Sequence, residues 1–343
     1  HLMTHSSGIP DYTSEEFDYS KNYSEEDLVE MASKLDLEFS AGKRWNYSNT
    51  GYVLLGVIMS RVAKKPYWEY LDEHIFTPAG MHSIRINTEK DIVPNKAKGY
   101  IPSKEGYQHA SYVAPITNTT ADGSMLLSLE DLLAWNSTVK NKMILKRKSW
   151  NLILSPMKLN SGNNYPYGFG WFIEKKNEKT VHQHGGTWQG FTAQIFRFIE
   201  DELEVLLLTN ARSIAAYELP RKIAALINPS LKAQSLPTKP IVDEMPEITK
   251  LIREKLINIS NGKLELDDFS FIRQTVFPRI KKALISQIEG FDPPSRMELL
   301  SKEIVGDDTA LQYWVWYDDI RYRLMVSIGP NKDLTSMRLI ADR

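Results

Sequence analysis

Apolar positions keep helical spacing through the first part of the chain and alternate along the stretch after residue 167. Leu28, Met31 and Leu35 fall three and four apart, which predicts a helix over Ser24 to Leu35 with Ser24 as its N-cap. Val53, Leu54, Val57, Ile58 and Val62 predict a second, starting near Asn49 or Thr50 and ending at Lys64-Lys65-Pro66; it is apolar enough to be a buried core helix. Tyr67 to His74 reads as a short helix, and Ser128 caps another that runs through Trp135. Between them, Asn87 to Asp122 has no period and is longer than loops usually run without a functional reason.

From Tyr167 the period is two. "YGFGWFIEKK" and "FTAQIFRFIEDELEVLLLTN" read as antiparallel strands with turns at Lys176-Asn177-Glu178 and Glu200-Asp201-Glu202, and Ile214 to Ile227 as a closing helix. The segment "NPSLKAQSLPTKPIVDEMP" carries four prolines and no period, the signature of a linker. Beyond it the pattern predicts helices over Ile248 to Ile259 and Phe269 to Ile288. Three strands follow, Glu298 to Val305, Leu311 to Tyr317 and Tyr322 to Ile328, the last resuming after a turn as Thr335 to Ile340. The expected organisation is α+β throughout: an antiparallel sheet flanked by helices in domain 1–228, a linker over 229–246, and a small α+β domain over 247–343. Tyr313, Trp314, Trp316, Tyr317 and Tyr322 give that second sheet an aromatic character, read either as packing against its helices or as a binding surface.

Composition narrows the chemistry. Of 343 residues, 42% are hydrophobic and 25% charged, enough for a sizeable core, and a formal net charge of −1 leaves no basic footprint for nucleic acid. The absence of cysteine excludes disulfides, thiolate metal sites and a cysteine nucleophile. No apolar run is long enough to span a bilayer, and no leader pattern precedes His1. The opening "HLMTHSSGIP" reads as the middle of a protein, a buried helix end entering a turn.

Three short stretches stand out: "THSSGIP" at 4–10, "YSNTGY" at 47–52 and "HGGTWQGF" at 184–191. In an extended segment Tyr47 and Asn49, two apart, point the same way into one pocket just before a helix begins. A phenol titrates near pH 10, and a neighbouring ammonium favours its ionised form, so Tyr47 is a candidate general base and acid. Asn49 offers a donor and an acceptor at a fixed distance. The bland reading of the same residues is a half-buried aromatic and a helix N-cap. His184-Gly185-Gly186 sits where an edge strand is expected, and glycines in strands mark the close approach of a ligand or another backbone. The alternatives here are a hairpin with a Gly-Gly bulge and a surface histidine, or a metal pair with His182, for which no third ligand lies nearby in sequence.

In order and surroundings these stretches resemble the serine β-lactamase and penicillin-binding-protein-like hydrolases, in particular the class C branch with its esterases and D-amino-acid peptidases. "AGKRWNYSNTGYVLLGVIMSRV", "EHIFTPAGM", "ADGSMLLSLEDLLAW" and "YGFGWFI" carry the likeness across about Leu2 to Ile227. It implies a β-lactamase/transpeptidase-like fold, Tyr47 and Asn49 as catalytic residues, and a substrate-binding strand of His184, Gly185, Gly186 and Thr187, with the Thr187 amide as one of two oxyanion donors. It also implies a small-molecule or peptide substrate, no cofactor or metal, and a secreted, periplasmic or cell-envelope location. The nucleophile of such hydrolases is the serine of a Ser-x-x-Lys at the head of a buried helix, upstream of the "THSSG" turn; three-residue spacing puts the ammonium on the face of the hydroxyl it activates.

The four Ser-x-x-Lys matches, at Ser40, Ser137, Ser155 and Ser260, all come later than that turn, two of them in glycine-containing turns. The expectation is therefore an N-terminally truncated hydrolase domain, with apolar surface exposed where the missing helices and strands belong. A rival expectation is a binding or regulatory protein that kept the pocket and lost the nucleophile. Many members carry a lysine where His184 stands, and a neutral histidine binds an anion less well, which favours ester, amide or D-amino-acid substrates over β-lactams and D-Ala-D-Ala. For the C-terminal domain, the topology resembles the cystatin/NTF2-type sheet-and-helix domains by analogy with similar hydrolases that carry such an appendage.

Overall fold

The computed structural model describes residues 1–13, 17–88, 92–123, 125–176, 178–212, 215–233, 236–270 and 277–342. They form two compact units, one of residues 1–157 and 166–234, the other of 158–165 and 235–343.

In the first unit, α1 (Glu25–Ser33) opens on a capping box between Ser24 and Asp27. α2 (Asn49–Ala63) ends at Lys64 in the left-handed region and packs its Gly56 face on α1 and Ala121, where an added Cβ would lie 2.5 Å from Ala121 Cβ. The predicted helix after Tyr67 is broken: Tyr67–Leu71 passes through a π-helical turn, Asp72–Phe76, before Gly80 stops it. The aperiodic stretch holds a hairpin, Tyr100–Ser103 against Gly106–His109, and a 3₁₀ turn over Ile116–Thr119. α3 (Leu129–Lys140) starts at the expected Ser128, again with a capping box, and is followed by α4 (Arg147–Ile153), which the pattern did not indicate.

The sheet of this unit comprises β1 (Phe172–Lys176), β2 (Lys179–Trp188), β3 (Phe191–Phe198) and β4 (Leu203–Thr209), antiparallel in the order β4-β3-β2-β1. The strand expected from Tyr167 begins only at Phe172, because Gly168 N–H donates to the Trp171 carbonyl and Gly170 has a positive φ, which turns the chain. Asn177 of the expected turn and Ile214 of the closing helix lie outside the described residues. α5 (Ala215–Ile227) covers one face, where Val181, Phe196, Phe198, Val205 and Ala224 cluster. The other face packs Ile173 and Ile195 against Val139 of α3 and Trp150 of α4. Ile58 and Val62 of α2 and Leu226 of α5 are exposed, and β4 has β3 as its one neighbour among the described residues.

The second unit stacks α6 (Pro246–Ser260) and α7 (Phe277–Ile288) on a four-stranded meander, β5 (Arg296–Val305), β6 (Asp308–Tyr317), β7 (Ile320–Ile328) and β8 (Leu334–Ala341). The predicted start of α7 at Phe269 is corrected, since Phe269 is extended and bridges Leu334; residues 271–276 lie outside the described residues. Alternation divides the aromatics. Tyr313, Tyr317 and Tyr322 join the helix-facing core, while Trp314 and Trp316 face the other way under Arg321, Arg323 and Arg296. The hairpin Lys158–Tyr165 belongs to this unit through Ser161 and Asn163, both donating to Asp307 Oδ1 at 2.6 and 2.7 Å.

Candidate active site

The site forms where four separate segments meet, those carrying His5 and Asp11, Tyr47 to Asn49, Tyr167, and His184 to Thr187. β2 pairs with β1 only up to Gln183, so from His184 onward one edge of β2 has no strand partner among the described residues. The expected edge strand is thus central in its first half and an edge in its second. Gln189 and Gly190 both have positive φ, 45° and 83°, as a two-residue type I′ turn requires. Trp188 and Phe191 then close the turn as a hydrogen-bonded pair, and the antiparallel alternation makes Thr187 and Thr192 a non-hydrogen-bonded one. On that argument the Thr187 N–H points away from β3, to the open edge. The Thr187 hydroxyl is engaged on the α5 side, 2.7 Å from Tyr217 Oη.

The two glycines differ. A Cβ on Gly185 would lie 2.3 Å from the amide of Gln194, its buried cross-strand partner, whereas a Cβ on Gly186 would meet nothing within 4 Å. Gly186 shares its face with His184, so that face of the edge stays open beside the ring.

Tyr47 approaches this edge. Its ring lies 6.3 Å from that of His184 and 4.0 Å from that of His5. Burial first, then the charges of Asp11 and Asp122, push its phenol up to about 12. The charges acting on Tyr47 are therefore carboxylates, which hold it neutral, the reverse of the ammonium effect anticipated from its sequence context. Asn49 starts α2, and both its backbone N–H and its side-chain Nδ2 donate to Asp11 Oδ2, at 2.8 and 3.0 Å. One donor of Asn49 is thereby occupied. Asp11 does for α2 what the N-cap Ser48 does not, placing a buried carboxylate at the helix N-terminus.

Three residues of the site carried no sequence assignment: Asp11, His5 and Tyr167. His5 is buried, with a φ of 53°, among the rings of Tyr47, Tyr52 and Tyr167. Its Nδ1 accepts from the Ser48 backbone N–H at 3.1 Å, and its Nε2 lies 3.1 Å from Tyr167 Oη. The same hydroxyl is 3.1 Å from His184 Nε2. Desolvation lowers the pKa of His184, opposed by a hydrogen bond to the Gly185 backbone. The signal for His5 lay inside "THSSGIP", a stretch that stood out without a role for its histidine, and that for Tyr167 inside "YGFGWFI", which looked like a connecting segment.

His182 does not join His184. It pairs across the sheet with Arg197, and burial with that guanidinium pulls its pKa down to about 4. None of the four Ser-x-x-Lys serines belongs to this cluster. Ser40 and Ser155 are exposed, Ser137 takes a hydrogen bond from Asn141, and Ser260 donates to the Ile257 carbonyl in the other unit.

A sheet with helices on both faces is the frame of a β-lactamase/transpeptidase-like fold, and it brings a Tyr-x-Asn at a helix start near a His-Gly-Gly on β2. The chain belongs to the β-lactamase family, whose family model matches residues 1–227. It is 30% identical over 235 residues to penicillin-binding protein 4* of Bacillus subtilis (strain 168), covering 64% of this chain and 52% of that protein, so it spans about half the length of this curated relative. Among solved structures it is similar to D-amino acid amidase from Ochrobactrum anthropi SV3, with a TM-score of 0.57 and 22% identity over 67% of this chain and 72% of that one. A fold likeness to the octameric penicillin-binding protein homologue from Pyrococcus abyssi covers 100% of this chain and 76% of that chain, with a TM-score of 0.58 and 19% identity. No described helix is long and apolar enough to cross a membrane.

Proposed function

We propose that this chain is part of a serine hydrolase that works through an acyl-enzyme on an ester, amide or D-amino-acid peptide bond. The observation that carries the reading is the convergence of Tyr47 and His184, from segments 137 positions apart, at a part of β2 that β1 leaves unpaired. A serine from a Ser-x-x-Lys upstream of His1 attacks the carbonyl, and the lysine of that motif supplies the ammonium that Tyr47 lacks here. Tyr47, ionised beside that ammonium, takes the serine hydroxyl proton during the attack and, now neutral, gives it to the leaving group as the acyl bond breaks; water then hydrolyses the acyl-enzyme. The Asn49 carbonyl orients the ammonium or a substrate N–H, and His184 lines the substrate edge. The Thr187 N–H, pointing to that edge, stabilises the oxyanion; such a donor is worth about 3 kcal/mol in the transition state. Substrates of the D-amino-acid amide type fit this reading, given the fold shared with a D-amino acid amidase.

The test is labelling of the natural full-length protein with a fluorophosphonate probe, followed by intact mass and turnover of an ester substrate. One covalent increment on an upstream serine is expected, with turnover lost by about 10²- to 10⁴-fold in Tyr47→Phe, the usual range for a general acid–base group. Unchanged turnover in that variant removes Tyr47 from the mechanism. A second reading, a ligand-binding protein without a nucleophile, draws on the absence of any Ser-x-x-Lys serine from the described site; it predicts reversible binding and no mass increment.

A further inference from the structure

The hydrogen bonds around His184 have a direction. A backbone N–H can only donate, so the Ser48 N–H fixes His5 Nδ1 as an acceptor, and neutral His5 must carry its proton on Nε2. That proton faces Tyr167 Oη, which therefore accepts from His5 and turns its own single hydrogen to His184 Nε2. With Nε2 accepting, His184 carries its proton on Nδ1. The order runs Ser48 N–H to His5, His5 to Tyr167, and Tyr167 to His184.

We propose that His5 and Tyr167 are positioning residues that hold His184 in one neutral tautomer, Nδ1–H, and that this makes the pocket prefer substrates with an uncharged group at His184 over carboxylates. The selectivity half rests on the hydrolase reading above; the tautomer half does not. The surroundings support both. Phe172 stacks on the His184 ring at 5.6 Å, and the titratable groups around it are Tyr167 and Tyr47, with His5 and Tyr52 one ring further. Among the described residues, no charged side chain contributes to its shift. A proton arriving on Nε2 would have to displace the Tyr167 hydroxyl hydrogen, and the reversal would have to pass back through His5 to a backbone N–H that cannot reverse.

The experiment is ¹⁵N NMR of the intact protein labelled at histidine, across pH 5 to 8, with Tyr167→Phe beside the unaltered chain. In the unaltered protein, His184 is expected as Nδ1–H and His5 as Nε2–H, with His184 staying neutral over the upper part of that range. In Tyr167→Phe, His184 is expected to become a tautomer mixture and to protonate about half to one pH unit higher, the scale of one lost hydrogen bond. His184 as Nε2–H in the unaltered chain, or unchanged in Tyr167→Phe, overturns the proposal; the first observation needs no variant to fold. Where the protein turns over substrate, the ratio of kcat/KM for a neutral amide to that for its carboxylate analogue is expected to fall about tenfold in Tyr167→Phe at pH 5.5 and to hold at pH 8. A ratio that falls equally at both pH values refutes the selectivity half. Correct tautomers with no acylation sink the hydrolase reading alone.

Discussion

Glu25 is the first residue of α1, and its Oε1 is buried without a hydrogen-bond partner against the α2 face at Gly56. Desolvation, then the charges of Glu26 and Asp122, push its carboxyl up from 4.5 to about 7. A raised carboxylate binds its proton more tightly in the folded state, so the associated stability is complete below about pH 4.5 and is lost as pH rises through 7. At 1.36 kcal/mol per unit the whole shift corresponds to about 3 kcal/mol. Glu25 is only partly buried, and solvent screening cuts that to about 1.5 kcal/mol. The helix dipole favours a carboxylate in the first turn by about 0.5 kcal/mol and works the other way. Replacing Glu25 with Gln is therefore expected to stabilise the protein by about 1 kcal/mol at pH 8 and to leave it within about 0.5 kcal/mol at pH 5. Urea unfolding of both proteins at several pH values reads this as a midpoint difference that opens with pH. A variant less stable at pH 8, or a difference that does not change with pH, would show that Glu25 finds a partner when ionised and would refute the argument.

The two glycines of the third motif are expected to separate. Gly185→Ala must displace the buried Gln194 amide and costs about 1 to 3 kcal/mol, whereas Gly186→Ala stays within about 0.5 kcal/mol, both by urea midpoint. Asp11→Ala removes at least four hydrogen bonds, two from Asn49 and two from Thr13, and leaves the first N–H of α2 uncapped. A loss of about 2 to 4 kcal/mol is expected, larger than for an ordinary cap because the acceptor is charged and buried. An effect below about 1 kcal/mol would mean that water replaces the carboxylate.

Local rules made much of the fold legible. Ser24 and Ser128 each announce a helix, and each closes a capping box with an aspartate three residues on. The alternation of "FTAQIFRF" and "LEVLLLT" yields β3 and β4 because each strand has one face toward α5 and the other toward α3 and α4. Failures came where a tertiary contact overrides the pattern. α4 buries Trp150 with a single turn of apolar spacing on either side, too short for periodicity to register. The Lys158–Tyr165 hairpin lies between strands of one unit in sequence and belongs to the other, through Asp307 and the positive-φ Gly306 that lets Leu159 and Tyr165 approach. Nothing local records an attachment made 140 residues later.

The site divides along the same line. Tyr47 and Asn49 were readable because two-residue spacing before a helix is a local fact, and His184 because alternation resumes beside two glycines. Their protonation is set from elsewhere. Burial raises the Tyr47 phenol most, and the carboxylates that add to it, Asp11 and Asp122, lie 36 residues before it and 75 after it in the sequence. The donor that fixes the His184 proton is a backbone N–H at Ser48, acting through a histidine 43 residues away from it and a tyrosine 162 residues beyond that. Serine 48 itself was passed over as the middle of the Tyr-x-Asn motif, yet the backbone at that position gives the whole chain of hydrogen bonds its direction. A sequence motif names the groups that can react; which of them carries a proton at neutral pH depends on partners that only the closed fold brings within 3 Å or so. Residues flanking a recognised motif, contributing only backbone, are therefore where the electrostatic setting of such a site is to be sought.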